Sequence, residues 1–105
     1  MRVQFLYYAE CPSHGDGLAR LKEAMSAEGI EAPIDVVEVA TDDEAQRLRF
    51  IGSPTIRVDG DDIDPEGLAG QQYALNCRVY RRRDGRPSPL PEVELIRERL
   101  RAAMP

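Results

Sequence analysis

Tryptophan is absent from the sequence, histidine occurs once and cysteine twice in 105 residues. With only two phenylalanines and four tyrosines, the chain has few aromatic rings on which nucleic-acid bases would stack. The net charge of −5 also lacks the basic excess that is typical of nucleic-acid-binding domains. Two cysteines are too few for a disulfide-dense secreted scaffold or for a closed four-thiolate zinc site. No segment approaches the roughly 20 apolar residues of a membrane span. We therefore expect no nucleic-acid partner, no membrane partner, no metal and no cofactor.

The remaining composition, 42% hydrophobic and 31% charged, is that of a globular chain. At roughly 100–200 residues per domain, residues 1–105 are expected to form one domain. The N-terminal apolar stretch is short and is interrupted by Glu10, so it does not have the pattern of a signal peptide. The default expectation is a protein of the reducing cytoplasm.

Hydrophobic periodicity predicts an α/β fold with the element order β-α-β-α-β-β-α. Strands are predicted at residues 3–9, 34–39, 55–59 and 77–81, and helices at 12–28, 42–51 and 91–103. The first βαβ unit implies parallel strands with a right-handed crossover. The last two strands are expected to form a hairpin across the acidic loop 60–76, which has room for a short helix. The predicted architecture is a four-stranded mixed sheet flanked by helices.

The segment Cys11-Pro12-Ser13-His14 stands where the first strand gives way to the first helix. A thiol at a helix N-terminus faces the helix dipole and free backbone N–H groups, which lower its pKa below about 8.5. Pro12 suits the first turn of a helix. An imidazolium at His14 would stabilise a Cys11 thiolate further. The plainer alternatives are a buried, unreactive Cys11 and a surface histidine.

A second segment, Gly52-Ser53-Pro54-Thr55, lies directly before the third strand. This proline is preceded by Ser and followed by Thr directly before a strand. A cis peptide bond could have a role at such a position. Only about 5–6% of X–Pro bonds are cis, so the chemistry alone does not predict one.

Together these two segments and the element order resemble the thioredoxin/glutaredoxin fold over nearly the whole chain. The resemblance implies that Cys11 is the nucleophile and that Pro54 is a cis-proline beside it. It also implies that the backbone of Ser53 pairs with an extended, thiol-bearing substrate. The chain is more narrowly similar to a group of small bacterial thioredoxin-like proteins, some with selenocysteine and some catalogued with alkylmercury lyases. The motifs of that narrower similarity are Phe5-Leu6-Tyr7, Cys11-Pro12, Gly52–Ile56, Val58-Asp59-Gly60, Cys77-Arg78-Val79-Tyr80 and Asp84-Gly85.

The sequence departs from the Cys-x-x-Cys motif of disulfide oxidoreductases, because His14 occupies the fourth position. A mixed disulfide on Cys11 therefore has no resolving thiol within the motif. Glutathione or another small thiol could resolve it, Cys77 could resolve it, or the protein could bind without turnover. If the hairpin pairs simply, Cys77 starts at the end far from Cys11, and a Cα separation above about 7 Å forbids a disulfide. The long loop 60–76 leaves other geometries open.

The expected function is that of a thiol-redox protein, such as a thiol–disulfide oxidoreductase or a peroxide- or glutathione-linked thiol enzyme. Its partner would be a thiol or disulfide substrate. One alternative is a non-catalytic binding domain on the same fold. Another is soft-metal binding of the mercury type by Cys11, His14 and Cys77, although three ligands do not complete a closed zinc site. The predicted catalytic residues are Cys11, His14, Pro54 and Cys77, and the predicted substrate-binding residues are Pro12, Ser13, Ser53 and Thr55.

Overall fold

The computed structural model describes residues 1–65 and 72–104. The elements in these residues are β1 (Val3–Tyr7), α1 (His14–Ala27), β2 (Ile34–Glu38), α2 (Asp42–Leu48), β3 (Thr55–Val58), β4 (Asp61–Asp62), β5 (Tyr80–Arg81), β6 (Pro87–Ser88) and α3 (Val93–Ala103). Within this part of the chain, every helix is too short or too polar to cross a membrane.

The main sheet has the strand order β2-β1-β3-β4. Strand β1 pairs with β2 in parallel and with β3 in antiparallel orientation, so the sheet is mixed. Side chains alternate between the two faces of β1. Val3 and Phe5 pack with buried residues of α1 and α3, whereas Leu6 packs on the other face with Val39 and with Ala45 of α2. The predicted α/β fold, with a four-stranded mixed sheet flanked by helices, is confirmed.

The identity of the fourth strand was predicted wrongly. Asp59 and Gly60 both adopt positive φ angles, of 52° and 86°, which is the conformation of a two-residue hairpin turn. This turn lets Asp61–Asp62 pair directly with β3. The place beside β3 is then taken, and the predicted strand at 77–81 lies elsewhere. Only Tyr80–Arg81 is a strand, and it pairs with Pro87–Ser88 in a separate two-stranded sheet.

Several element boundaries also differ from the prediction. Helix α1 begins at His14, two residues after Pro12, with Ser13 as its N-cap. Helix α2 has the predicted cap, in which the Glu44 N–H donates to Thr41 Oγ1 at 3.1 Å. This helix ends at Leu48 because Arg49 turns left-handed at φ 55°. The short helix considered for the loop 60–76 falls partly on residues 66–71, which lie outside the described residues.

Truncation of a core residue in α3 should destabilise the protein strongly. Leu100 is fully buried in the cluster beneath β1 and β3. We expect Leu100→Ala to lower the free energy of unfolding by about 2–5 kcal/mol, because the substitution removes apolar contacts and leaves a cavity. Urea unfolding measures this loss. Met104→Ala, at an exposed position after the same helix, is the control and should change stability little. Equal losses in the two variants would contradict this packing.

Candidate functional site

The two cysteines, 66 residues apart in the sequence, meet in the structure. The Sγ atom of Cys77 lies 2.7 Å from Sγ of Cys11, and both residues are free thiols. A disulfide bond has an S–S length of about 2.0 Å, so the two sulfurs can bond after a movement of less than about 1 Å. The expectation that Cys77 starts at the far end of a hairpin is wrong. Its segment does not pair with β3 and instead runs beside the residues that precede it.

Ser53 holds the Cys77 segment in place through its backbone. The Ser53 N–H donates to the Asn76 carbonyl at 2.7 Å, and the Arg78 N–H donates to the Ser53 carbonyl at 2.9 Å. These two bonds form an isolated parallel bridge between Ser53 and Cys77. The resemblance implies that the same backbone groups pair with a substrate. In this structure the chain itself occupies both of them, which corrects that expectation.

The Ser53–Pro54 peptide bond is cis, as the resemblance implies. Pro54 is buried, and its carbonyl accepts a hydrogen bond from the hydroxyl of Tyr80 at 2.5 Å. Thr55 is fully buried, and its hydroxyl donates to the Gly52 carbonyl at 2.6 Å. The predicted substrate-binding role of Thr55 is therefore not met by its side chain, which fixes the loop instead. Pro12, by contrast, is exposed directly after Cys11.

Two glycines permit close approaches around this loop. A Cβ atom on Gly17 would lie 2.9 Å from Cγ of Pro54, so the glycine lets α1 pack tightly against the proline. A Cβ atom on Gly52 would lie 2.9 Å from the backbone N and Cα of Arg78. Any side chain at Gly52 would therefore push away the segment that carries Cys77.

A buried ion pair anchors the residue that follows Cys77. The guanidinium of Arg78 donates to both carboxylate oxygens of Asp62, at 2.6 and 2.7 Å, and to the Asp64 carbonyl at 3.1 Å. Only 3% and 4% of the Arg78 and Asp62 side chains are exposed. The guanidinium also lies 4.5 Å from the ring centroid of Tyr80, a cation–π contact. Strand β4 is thereby tied to the Cys77 segment.

Sequence reasoning missed this anchor, although a signal for it existed. In an extended segment, residues i and i+2 share a face, which places Arg78 and Tyr80 on the same side. Asp62 lies in the loop predicted at residues 60–76, whose acidic composition gives no sign of a buried partner. Asp62 enters the sheet only because of the hairpin turn at Asp59 and Gly60. That turn follows from the Asp-Gly dipeptide.

The surroundings of Cys11 favour its thiolate form. Burial alone raises the pKa of the Cys11 thiol, but hydrogen bonds from Cys77, from the hydroxyl and N–H of Ser13 and from Ser53 outweigh it, and the net pKa is lowered. The Ser13 hydroxyl lies 3.4 Å from the sulfur. Ser13 makes no side-chain cap hydrogen bond to α1, so its hydroxyl is available to Cys11.

Ser53 faces the same sulfur with two different groups. Its carbonyl can accept the Cys11 S–H at 3.6 Å, which suits the protonated thiol. Its buried hydroxyl has no partner within normal hydrogen-bond geometry among the described residues. The hydroxyl is nevertheless close enough to lower the pKa of Cys11. A buried donor without a partner costs free energy, so a thiolate on Cys11 is the group that this hydroxyl can satisfy.

The pKa of Cys77 is shifted in the opposite direction. Its hydrogen bond to Cys11 raises the pKa of the Cys77 thiol, with burial and the charge of a Cys11 thiolate acting in the same direction.

His14 makes no hydrogen bond to the Cys11 sulfur. Its imidazole stacks on the ring of Tyr7, with centroids 4.8 Å apart and planes inclined by 25°. Hydrogen bonds from Ser13 and Cys77 take the thiolate-stabilising role that the sequence suggested for an imidazolium at His14. In residues 1–65 and 72–104, no group of three His, Cys, Asp or Glu side chains is arranged to hold a metal ion. The metal alternative built on Cys11, His14 and Cys77 thus lacks its geometry.

No protein-family model, curated protein or solved structure matches this chain.

Removal of the Ser13 hydroxyl should raise the pKa of Cys11. The hydroxyl lies 3.4 Å from the sulfur and donates to it when the sulfur is a thiolate, and such a bond is stronger than one to a neutral thiol. We expect Ser13→Ala to shift the first thiol ionisation of the protein to higher pH, measured by the ultraviolet absorbance of thiolate during a pH titration. Ser26→Ala, at an exposed position further along α1, should leave the titration unchanged. An unshifted Ser13→Ala titration would show that the hydroxyl does not act on the sulfur.

Breaking the Arg78–Asp62 pair should both destabilise the fold and loosen Cys77. Asp62→Asn leaves a buried guanidinium without its counter-charge, which costs roughly 3–5 kcal/mol of unfolding free energy. We also expect slower formation of a Cys11–Cys77 disulfide, because Arg78 adjoins Cys77. Asp61→Asn, at the exposed neighbouring position in β4, is the matched control. Chemical denaturation and the rate of thiol loss under mild oxidation measure the two effects, and identical behaviour of both variants would refute the anchoring role.

Proposed function

We propose that this chain is a thioredoxin-like thiol–disulfide redox protein in which Cys11 and Cys77 cycle between a dithiol and an intramolecular disulfide. The observation that carries the proposal is the 2.7 Å separation of the two sulfurs. Free cysteines that serve only as small apolar residues have no need of a second thiol in contact. Here the second thiol comes from a distant segment that is held by two backbone hydrogen bonds and a buried ion pair.

The proposed chemistry is thiol–disulfide exchange. The dithiol reacts with a disulfide R–S–S–R to give the Cys11–Cys77 disulfide and two molecules of R–SH. The two cysteine sulfurs lose two electrons in total, the substrate sulfurs gain them, and the two thiol protons pass to the leaving thiolates. Exchange proceeds through a mixed disulfide, and a neighbouring thiolate must then displace the partner. The second cysteine of the pair supplies that thiolate without any change in the fold.

The thioredoxin-like assignment is supported by the arrangement around Cys11. The cysteine follows the central strand β1, precedes the helix of a parallel βαβ unit, and lies next to a cis-proline loop, with Cys11 Sγ 3.6 Å from the Ser53 carbonyl. Within this assignment Cys77 takes the place of the thiol that a Cys-x-x-Cys motif would provide at His14.

A small thiol is the proposed external reductant. Regeneration of the dithiol needs two thiol equivalents, and glutathione or a similar compound of a reducing cytoplasm supplies them. The hydrogen bonds that stabilise the Cys11 thiolate favour the reduced form and make the disulfide easier to reduce. In this proposed role the Cys11–Cys77 disulfide is exchanged with other thiols, and it does not serve as a cross-link for stability.

Titration in glutathione redox buffers tests this function. We expect the folded wild-type chain to convert fully between a dithiol and a species lighter by two hydrogens, measured by intact mass after acid quenching. Cys11→Ser and Cys77→Ser should each abolish this species. The wild type should also accelerate the reduction of a small disulfide by excess thiol, and both variants should lose most of that activity. A folded chain that retains both free thiols in oxidising buffer would falsify the proposal.

A further inference from the structure

The two cysteines differ in their exposure to solvent. Cys11 is 1% exposed, whereas Cys77 is exposed. The polar neighbours of the Cys11 sulfur are Ser13, the Ser53 carbonyl and Cys77 itself. Val79, which shares a face of this extended segment with Cys77, is 65% exposed, so this face is open to solvent. A molecule that approaches the pair meets Cys77 first.

The backbone next to Cys11 offers no free pairing edge at Ser53. Both its N–H and its carbonyl are bonded to the Cys77 segment, at Asn76 and Arg78. A partner that sought Cys11 along this edge would have to displace the segment and break the Arg78–Asp62 pair behind it. Attack at Cys77 requires neither change.

The chemistry of exchange favours the same order. In the oxidised protein, an external thiolate attacks one sulfur and the other leaves as a thiolate. Rates depend on which sulfur is accessible and on how well the leaving thiolate is stabilised. Attack on Cys77 expels Cys11, which the hydroxyl of Ser13 is placed to stabilise. Attack on Cys11 would expel Cys77 toward solvent, away from these donors.

We propose that Cys77 is the residue that forms the mixed disulfide with the external partner, and that Cys11 is the internal thiolate that leaves and resolves. This inference rests on the proposed function and reverses the order that the resemblance implies.

During reduction, R–S⁻ attacks Cys77 Sγ, the Cys11–Cys77 bond breaks, and Cys11 departs as a thiolate. A second R–S⁻ then attacks the outer sulfur of the mixed disulfide, the one that carries the R group. This step gives R–S–S–R and a Cys77 thiolate, which takes up a proton. The protein disulfide gains two electrons, and two molecules of thiol are oxidised.

During oxidation the same steps run in reverse. Cys77 transfers its proton along the hydrogen bond to Cys11 and attacks R–S–S–R. The released R–S⁻ removes the proton from Cys11, whose thiolate then displaces the second R–S⁻ from Cys77. The 2.7 Å contact between the sulfurs serves first as the proton path and then as the path of attack.

Trapping in the wild-type chain tests the order without any substitution. The oxidised protein is mixed with a limiting amount of 2-mercaptoethanol, a neutral thiol, and quenched with acid at early times. Peptide mapping then locates the adduct. We expect the adduct on Cys77 with Cys11 as the free thiol. An adduct on Cys11 would overturn the inference but leave the proposed function intact, whereas absence of any Cys11–Cys77 disulfide in oxidising buffer would contradict the proposed function itself.

Single-cysteine variants provide an independent rate comparison. Cys11→Ser keeps Cys77, Cys77→Ser keeps Cys11, and each is treated with the neutral disulfide of 2-mercaptoethanol. After correction for the thiolate fraction of each variant, we expect Cys77 to react about tenfold faster or more, because its sulfur is accessible. In concentrated urea the two rates should converge. Faster reaction of Cys11 in the folded variants would contradict the proposed order.

Discussion

The parallel bridge between Ser53 and Cys77 is the contact on which the rest of the site depends. Two backbone hydrogen bonds, from Ser53 to Asn76 and from Arg78 to Ser53, fix a segment that lies far from Cys11 in the sequence. These backbone bonds fix which residue of the segment lies opposite Ser53. A slip of one residue would turn every side chain of the segment to the opposite face. The bridge therefore turns the Cys77 side chain toward Cys11 and the Arg78 side chain toward Asp62.

The buried pair of Arg78 and Asp62 reinforces that register. Such a pair contributes little net stability, because the removal of two charges from water offsets their attraction. It is, however, very unfavourable to leave one member buried alone. Any arrangement that shifts the Cys77 segment by one residue would withdraw Arg78 from Asp62. The ion pair thus penalises alternative registers more than it stabilises the native one, and the position of the thiol is specified accordingly.

The sequence predicted those parts of the molecule that depend on local pattern. Short apolar runs placed β1 and β2, the Thr41 cap placed α2, and the Cys-Pro and Ser-Pro segments placed two of the loops at the site. The position of Cys77 could not be derived in the same way, because it depends on the turn at Asp59 and Gly60. That turn closes a short hairpin, fills the edge of β3 and forces residues 77–81 to bond elsewhere. Local propensity gave residues 77–81 a strand pattern but did not identify the partner of that strand.

The two cysteines of the pair need different surroundings. The cysteine that carries charge has to be surrounded by donors, and the loop at Ser13 and Ser53 supplies them only in a buried position. The cysteine that meets a partner has to be accessible, and an accessible sulfur has fewer protein donors. With the two sulfurs in contact, a proton moved along their hydrogen bond exchanges the charge between the buried and the accessible site. In the proposed reaction, the stabilised thiolate of Cys11 and the exposed Cys77 act together, although they lie in segments 66 residues apart.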